Sequence, residues 1–320
     1  MSLPSEASRS PRQITDTVLM IRPVAFCSNP ETVGSNAFQR APGIVDPLEE
    51  QAAALIEFDG LVAALRAAGV RVIVEEDTLE PHTPDSVFPN NWISFHADGD
   101  VVVYPMMAPS RRGERRRDII ERLATVEGFH VAQVFDLSDN EAQGRFLEGT
   151  GSMVFDRIGR VAYACLSPRT DLDLLAEFGR RFDYEPVAFA AADSDGVPIY
   201  HTNVMMAMGE GFAVLCANAI CDPVQREAVI GRLNASGHEV VQISRQQMAS
   251  FAGNMLALVA PEGGQLLAMS ARAESCLDAA QRATLARYAR IVSAPIDNIE
   301  NSAGGSVRCM LAGVHLPRRD

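Results

Sequence analysis

The sequence predicts an α/β protein assembled from five copies of one strand–strand–helix–strand unit, with the copies closed into a ring. Three observations predict it. Four segments share one layout, a small polar residue, an apolar run, a turn and a second apolar run, and a fifth partial copy follows them. Their leading residues, Asn91, Ser152, Asn203, Asn254 and Ser306, recur at intervals of about 50 residues, a spacing that builds arrays and rings. Between them lie helical stretches, each followed by a short β-prone run.

Taken in order, VLMIRPVAFC near the N-terminus can complete the unit that the C-terminal end leaves unfinished. DPLEEQAAALIEFDGLVAALRAAG, from Asp46, places Ala54, Leu55, Phe58, Leu61, Val62 and Leu65 on one stripe with a period near 3.6, and Gly69 is a plausible C-terminal cap. The strand VRVIVEE follows. The four hairpins are NWISFHADGDVVVYPMM, SMVFDRIGRVAYACLS, NVMMAMGEGFAVLCANA and NMLALVAPEGGQLLAMSA, each turning at Gly or Asp-Gly. Helices are expected in RGERRRDIIERLATVEG, TDLDLLAEFGRRF, DPVQREAVIGRLNASG and ESCLDAAQRATLARYARIV, with strands in HVAQVFDL, EPVAFAA, HEVVQIS and SAPI. SVRCMLAGVHLP, from Ser306, is the partial fifth copy. A last unit shared by both termini favours a ring, which leaves no end to cap. The competing reading is an ordinary α/β sheet whose alternation only looks periodic. No Pro/Ser-rich linker divides the chain, so residues 14–320 are expected as one domain, with residues 1–13 as a disordered leader.

The chain has 320 residues, 47% of them apolar and 22% charged, with a formal net charge of −13. That composition supports a sizeable core. The acidic balance disfavours nucleic acid and anionic membrane surfaces as partners, but not a small zwitterionic ligand. No stretch reaches the roughly 20 apolar residues of a membrane span, and the N-terminus lacks the apolar core of a secretory signal. Six scattered cysteines, none in a C-x-x-C pair, point to a reducing compartment, the cytoplasm. There is no zinc-ligand spacing, no Gly-rich phosphate loop and no H-E-x-x-H.

In a ring of like units, residues beside the hairpin anchors converge. The polar ones are Asp85, Asn90 and Asn91 in the first unit, Glu148 in the second, His201 in the third and Cys309 in the fifth. A thiol, an imidazole and a carboxylate in one pocket form a constellation for nucleophilic catalysis. Each residue alone has a plainer reading: Cys309 as an inert core thiol, His201 as a turn residue, Glu148 as an exposed turn carboxylate. Their shared position in the repeat is what joins them. Arg111 and Arg112 close the second strand of the first unit and Arg169 that of the second. Arginine forks suit a carboxylate, such as the head of an α-amino acid, although a solvated strand end is the alternative.

These motifs resemble the guanidino-group-modifying, or pentein, superfamily, which includes arginine deiminase, dimethylarginine dimethylaminohydrolase and arginine:glycine amidinotransferase. The resemblance covers roughly residues 15–318. D-S-V-F-P-N-N (Asp85 to Asn91) is similar to the D-x-V-F-x-E-D stretch of the dimethylarginine enzymes, and A-P-S-R-R-G-E and L-S-P-R-T are also similar. L-E-G-T-G-S resembles L-[DE]-G-G-D; Y-H-T-N-V-M-M and E-N-S-A-G-G-S-V-R-C-M-L resemble the citrulline-utilisation hydrolase (amidinotransferase-like) branch. The resemblance implies a five-bladed β/α propeller. It also implies attack by Cys309 on a guanidino or ureido carbon, proton transfer by His201, substrate contacts from Glu148 and Asp85, a carboxylate held by Arg111 and Arg169, and no metal or organic cofactor.

Departures from the family pattern shape the expected substrate. Asn90 and Asn91 stand where arginine-type members place acids, and Asn203 stands where arginine deiminase has the Asp of its His-x-Asp. Amides donate as well as accept, which suits a neutral ureido oxygen. The expectation is therefore citrulline, hydrolysed to ornithine, ammonia and carbon dioxide. The alternatives are an arginine or substituted-arginine deiminase or dimethylaminohydrolase, an amidinotransferase, and a non-catalytic propeller that binds an amino acid. The oligomeric state and any lid over the pocket stay open at the level of sequence.

Overall fold

The computed structural model of the chain describes residues 12–319. Residues 1–11 of the expected leader lie outside that range. Its last residue does not belong to a leader: Gln13 is buried, its Nε2 donating to the carbonyl of Phe155 at 2.7 Å and its Oε1 accepting from the N–H of Arg157 at 2.7 Å.

Fifteen strands among the described residues form five separate three-stranded sheets. β1 (Thr17–Arg22) and β2 (Arg71–Glu76) belong to the sheet that also takes the last strand. β3 (Ile93–Phe95), β4 (Asp100–Val103) and β5 (Gln133–Asp136) form the next. β6 (Val154–Asp156), β7 (Val161–Cys165) and β8 (Glu185–Phe189) follow, then β9 (Met206–Met208), β10 (Phe212–Leu215) and β11 (Glu239–Gln242). β12 (Leu256–Val259), β13 (Gln265–Ser270) and β14 (Ala289–Ala294) make the fourth of the repeat, and β15 (Ala312–Gly313) joins β1.

Connectivity is the same in every sheet. The first strand pairs antiparallel with the second, and the second pairs parallel with the third across a helical crossover. An antiparallel pair needs only a tight turn, whereas a parallel pair needs a longer connection, so this unit is the physical reason for the 50-residue period. In the fifth sheet β15 supplies the antiparallel strand, with Val18 opposite Gly313, and β2 the parallel one. The N-terminal strand thus completes the C-terminal unit, as expected.

The turns follow the sequence signals, with one exception. Gly99 and Gly211 take positive φ, but in the β6–β7 turn that conformation falls on Arg160 (φ 53°) rather than Gly159. The long helix Pro47–Ala67 buries Ala54, Phe58, Leu61, Val62 and Leu65, five of the six stripe residues, with Leu55 half-buried. One expectation needs correction. ESCLDAAQRATLARYARIV is not a continuous helix: Ala271–Cys276 ends at Leu277, and Ala279–Ala286 restarts behind Asp278. Asp278 accepts from the Gln281 N–H while the Gln281 side chain accepts from Asp278, a capping box that fixes the restart. Ala289–Ala294 is then β14, so the strand begins four residues before SAPI.

All six cysteines are free. Among the described residues no helix is long and apolar enough to cross a membrane. The five anchors, Asn91, Ser152, Asn203, Asn254 and Ser306, are all buried at 2% exposure or less. One helical turn leads into four of the first strands: Pro89–Asn91 before β3, Gly149–Ser152 before β6, Thr202–Val204 before β9 and Val307–Met310 before β15.

Candidate active site

Those turns carry the site. Asp85, Asn91, Arg111, Arg169, His201 and Cys309 line one small pocket. Asp85 and Asn91 come from the segment before β3, and Arg111 from the turn Pro109–Glu114 after β4. Arg169 follows β7, His201 precedes the turn into β9, and Cys309 sits on the turn into β15. Residues separated by more than two hundred positions are neighbours because each stands at the same end of a like unit.

Three of the expected residues stand behind the lining. Glu148 is fully buried; its Oε2 lies 2.9 Å from His201 Nε2, and its Oε1 accepts from the N–H of Met107 at 3.0 Å. Arg169 Nη1 and Arg111 Nη1 approach the same Oε2 at 3.5 and 3.9 Å. Asn203 donates from Nδ2 to Cys309 Sγ at 3.3 Å. Asn90 accepts from Asn91 Nδ2 at 3.1 Å, and its own Nδ2 is buried without a partner among the described residues. Arg112 turns away to Glu141, 3.2 Å distant. Gly149 and Gly151 make the packing feasible: a Cβ on Gly149 would lie 2.5 Å from the Asn90 carbonyl oxygen, and one on Gly151 2.7 Å from His201 Nδ1.

The two arginines are not equivalent. Arg111 forms a two-point pair with Glu114, Nε to Oε1 at 2.8 Å and Nη2 to Oε2 at 2.9 Å, and its Nη1 donates to Asn91 Oδ1 at 2.8 Å. All three of its nitrogens are engaged inside the protein. Arg169 stacks over the Tyr200 ring at 5.1 Å and donates from Nη2 to Ser35 Oγ at 2.7 Å, while its buried Nε has no partner among the described residues. Arg169 therefore has a donor left for a ligand. The amides also differ from their expected use: Asn91 is taken up by Arg111 and Asn90. The buried acceptors without partners here are Asp85 Oδ1 and Asn203 Oδ1.

Several residues at the site escaped the sequence reading. Asn254 donates from Nδ2 to Cys309 Sγ at 3.2 Å; it was visible as a hairpin anchor equivalent to Asn203. Tyr200 packs its ring 4.8 Å from that of His201. Thr32 and Asn36 line the pocket from an irregular loop, and Asn29 on the same loop donates to Asp85 Oδ2 at 2.8 Å. No periodicity marks that loop.

Burial alone would raise the Glu148 carboxyl, but the charge of Arg169 and the hydrogen bond of His201 hold it well below the usual carboxylate range. Burial pulls the His201 imidazole from its ordinary 6.5 down to about 4, against the pull of Glu148 and with Arg169 and Arg111 adding to the fall. His201 is therefore neutral near pH 7. A neutral imidazole facing a carboxylate carries its proton on that nitrogen, so Nε2–H donates to Glu148 and Nδ1 keeps a lone pair.

This state has a sign that can be measured. Because the folded value is below the unfolded one, the unfolded chain takes the proton first as pH falls. The stability tied to neutral His201 is fully present above about 6.5 and gone below about 4, a loss of about 3 kcal/mol. Between those limits wild-type Tm should fall about 5 °C further than that of His201→Gln. Equal falls in thermal scans of the two proteins would contradict the assignment.

Five like sheets with a thiol, an imidazole–carboxylate pair and arginines at one pocket place the chain in the class that the sequence motifs resemble, the pentein enzymes that modify guanidino groups. The family follows directly: the profile described as "N,N dimethylarginine dimethylhydrolase, eukaryotic" matches residues 22–316, and the chain belongs to that family. It is thereby homologous to hydrolases of the guanidino group. No curated protein matches the chain in sequence. Among solved structures, ArgZ, an arginine dihydrolase from the ornithine-ammonia cycle in cyanobacteria, shares 19% identity over 92% of this chain with a TM-score of 0.71; this chain spans only 40% of the ArgZ chain. The N-terminal domain of ArgZ, bound to substrate, shares 18% identity over 93% of this chain and 97% of that one, with TM-score 0.71. Dimethylarginine dimethylaminohydrolase from Pseudomonas aeruginosa, a Cys-to-Ser mutant complexed with citrulline, shares 17% identity over 94% of this chain and 99% of that one, with TM-score 0.62.

Proposed function

We propose that the chain is a cofactor-independent cysteine hydrolase of the guanidino carbon of arginine or an N-substituted arginine. The observation that carries the substrate class is a buried carboxylate oxygen without a partner among the described residues, Asp85 Oδ1, in the lining of the pocket that holds the thiol. A guanidinium brings N–H donors and a positive charge, which satisfy it. Asp85 binds the head of the side chain, and Arg169, through its open Nε, takes the substrate carboxylate. Arg111 acts from behind, fixing Asn91 and the carboxylate cluster. The five sheets act as blades of one closed propeller, which gathers these side chains at one end.

The reaction balances as follows. Neutral His201 takes the Cys309 proton through Nδ1, and the thiolate attacks the guanidino carbon. The imidazolium, stabilised by Glu148, returns the proton to the departing nitrogen, which leaves as ammonia or an amine. A thiouronium on Cys309 remains. Water, deprotonated by His201, attacks the same carbon, and the thiolate departs, releasing citrulline.

Citrulline as the substrate, the expectation from the amides, is the second reading. It is favoured by the uncharged amides Asn90, Asn91 and Asn203 around the pocket, which give a guanidinium no counter-charge. Steady-state assays with arginine, N-methylated arginines and citrulline decide between them, together with mass spectrometry of protein quenched during turnover. The expected result is turnover of a guanidino substrate and a Cys309 adduct equal to arginine less ammonia. Turnover of citrulline alone, with a carbamoyl-type adduct, would establish the second reading. Substrate binding without any adduct on Cys309 would leave a non-catalytic binding propeller.

A further inference from the structure

The first strands of all five sheets line a second cavity, which shares no lining residue with the Cys309 pocket. Its charged lining residues are Arg157 and Arg308, accompanied by His315, and its lining contains no aspartate or glutamate. In a chain of net charge −13 that composition runs against the average. Among the described residues neither guanidinium has a carboxylate partner. Arg157 donates to the Phe95 carbonyl at 3.3 Å and packs over the Phe155 ring at 5.3 Å; Arg308 donates to the Leu311 carbonyl at 2.9 Å. Each fork keeps further N–H groups without a partner in the protein. Burial pulls Arg308 down to about 10, with the neighbouring Cys309 sulfur opposing and the charge of Arg157 adding to the fall, and burial with both arginines pulls His315 well below its ordinary value. Two cations held together without a counter-charge are costly unless an anion joins them.

We propose that this cavity is a binding site for a small phosphate-type oxyanion, gripped between the forks of Arg157 and Arg308 and bordered by Gln13, Ser94 and Thr150. A tetrahedral dianion neutralises both charges and presents oxygens to forks that arrive from different sheets, which a single planar carboxylate does less well. The site adjoins the support of the thiol: the Arg308 N–H donates to Asn254 Oδ1 at 2.9 Å, and Asn254 Nδ2 donates to Cys309 Sγ.

Calorimetric titration with inorganic phosphate, against chloride at matched ionic strength, tests it. One phosphate per chain is expected, with affinity falling about tenfold or more in Arg157→Gln and in Arg308→Gln, and staying within about twofold in Arg169→Gln. Circular dichroism shows which variants are folded, and either cavity variant suffices. No phosphate binding by the wild type, or loss in Arg169→Gln but not in the folded cavity variants, overturns the proposal; the latter would put the anion in the Cys309 pocket.

Discussion

Cys309→Ser should lose at least about ten-thousandfold in kcat on any guanidino substrate that the wild type turns over. A serine hydroxyl near neutral pH is a weak nucleophile without a base strong enough to ionise it. The same substitution should leave Tm within about 2 °C, because the hydroxyl can still accept from Asn203 and Asn254, the two donors that now meet the sulfur at 3.3 and 3.2 Å. Substrate affinity measured by calorimetry should persist. The other thiols provide a control. Burial pushes Cys165 up to about 12 and raises Cys27, Cys216 and Cys276 as well, so these four should react slowly, and Cys221, exposed, can react without touching the pocket; alkylation that stops activity should be found on Cys309 and be slowed by substrate. A Cys309→Ser protein that retained more than a hundredth of the wild-type rate would end the covalent mechanism.

Glu148→Ala should be the most damaging substitution for stability. Glu148 is the one carboxylate that faces Arg169 within ion-pair distance among the described residues, and it also accepts from Met107 and His201. Its removal leaves a buried guanidinium without a counter-charge, a cost of about 3–5 kcal/mol, or roughly 6–10 °C in Tm. Glu148→Gln separates the two roles. A single amide oxygen can still accept from one of His201 and Met107, which now meet different oxygens of the carboxylate, so part of the stability should return, yet the imidazolium formed during the reaction loses its anion. The rate should then remain down by about a hundredfold or more. Full activity in a stable Gln variant would show that the charge of Glu148 has no part in the chemistry.

Much of this site could be read from spacing. Asn91, His201, Asn203 and Cys309 became neighbours on paper as soon as the hairpins were aligned, because a side chain's place in a repeat is fixed by its register. What spacing could not give was each group's partner. Arg111 looks like a ligand clamp until Glu114, three residues on, is seen to hold it; a sequence shows two opposite charges but not which way either points. Asn91 suffers the same ambiguity. The strand Ala289–Ala294 was hidden for another reason. Its residues continue an alanine-rich helical pattern, and only pairing with Gln265–Ser270 overrides that local preference. The loop bearing Thr32 and Asn36 has neither period nor cap, so only its contacts reveal it.

The fifth sheet joins segments from opposite ends of the described chain. Thr17–Arg22 is translated before every other described strand, and its antiparallel partner, Ala312–Gly313, after all of them. Until then the turn that carries Cys309, Val307–Met310, has no sheet to lead into. A nascent chain can therefore build the other hairpins on the ribosome while Thr17–Arg22 keeps one unpaired edge, a natural place for chaperone capture. Reactivity at Cys309 should therefore appear only after the other four sheets have been translated.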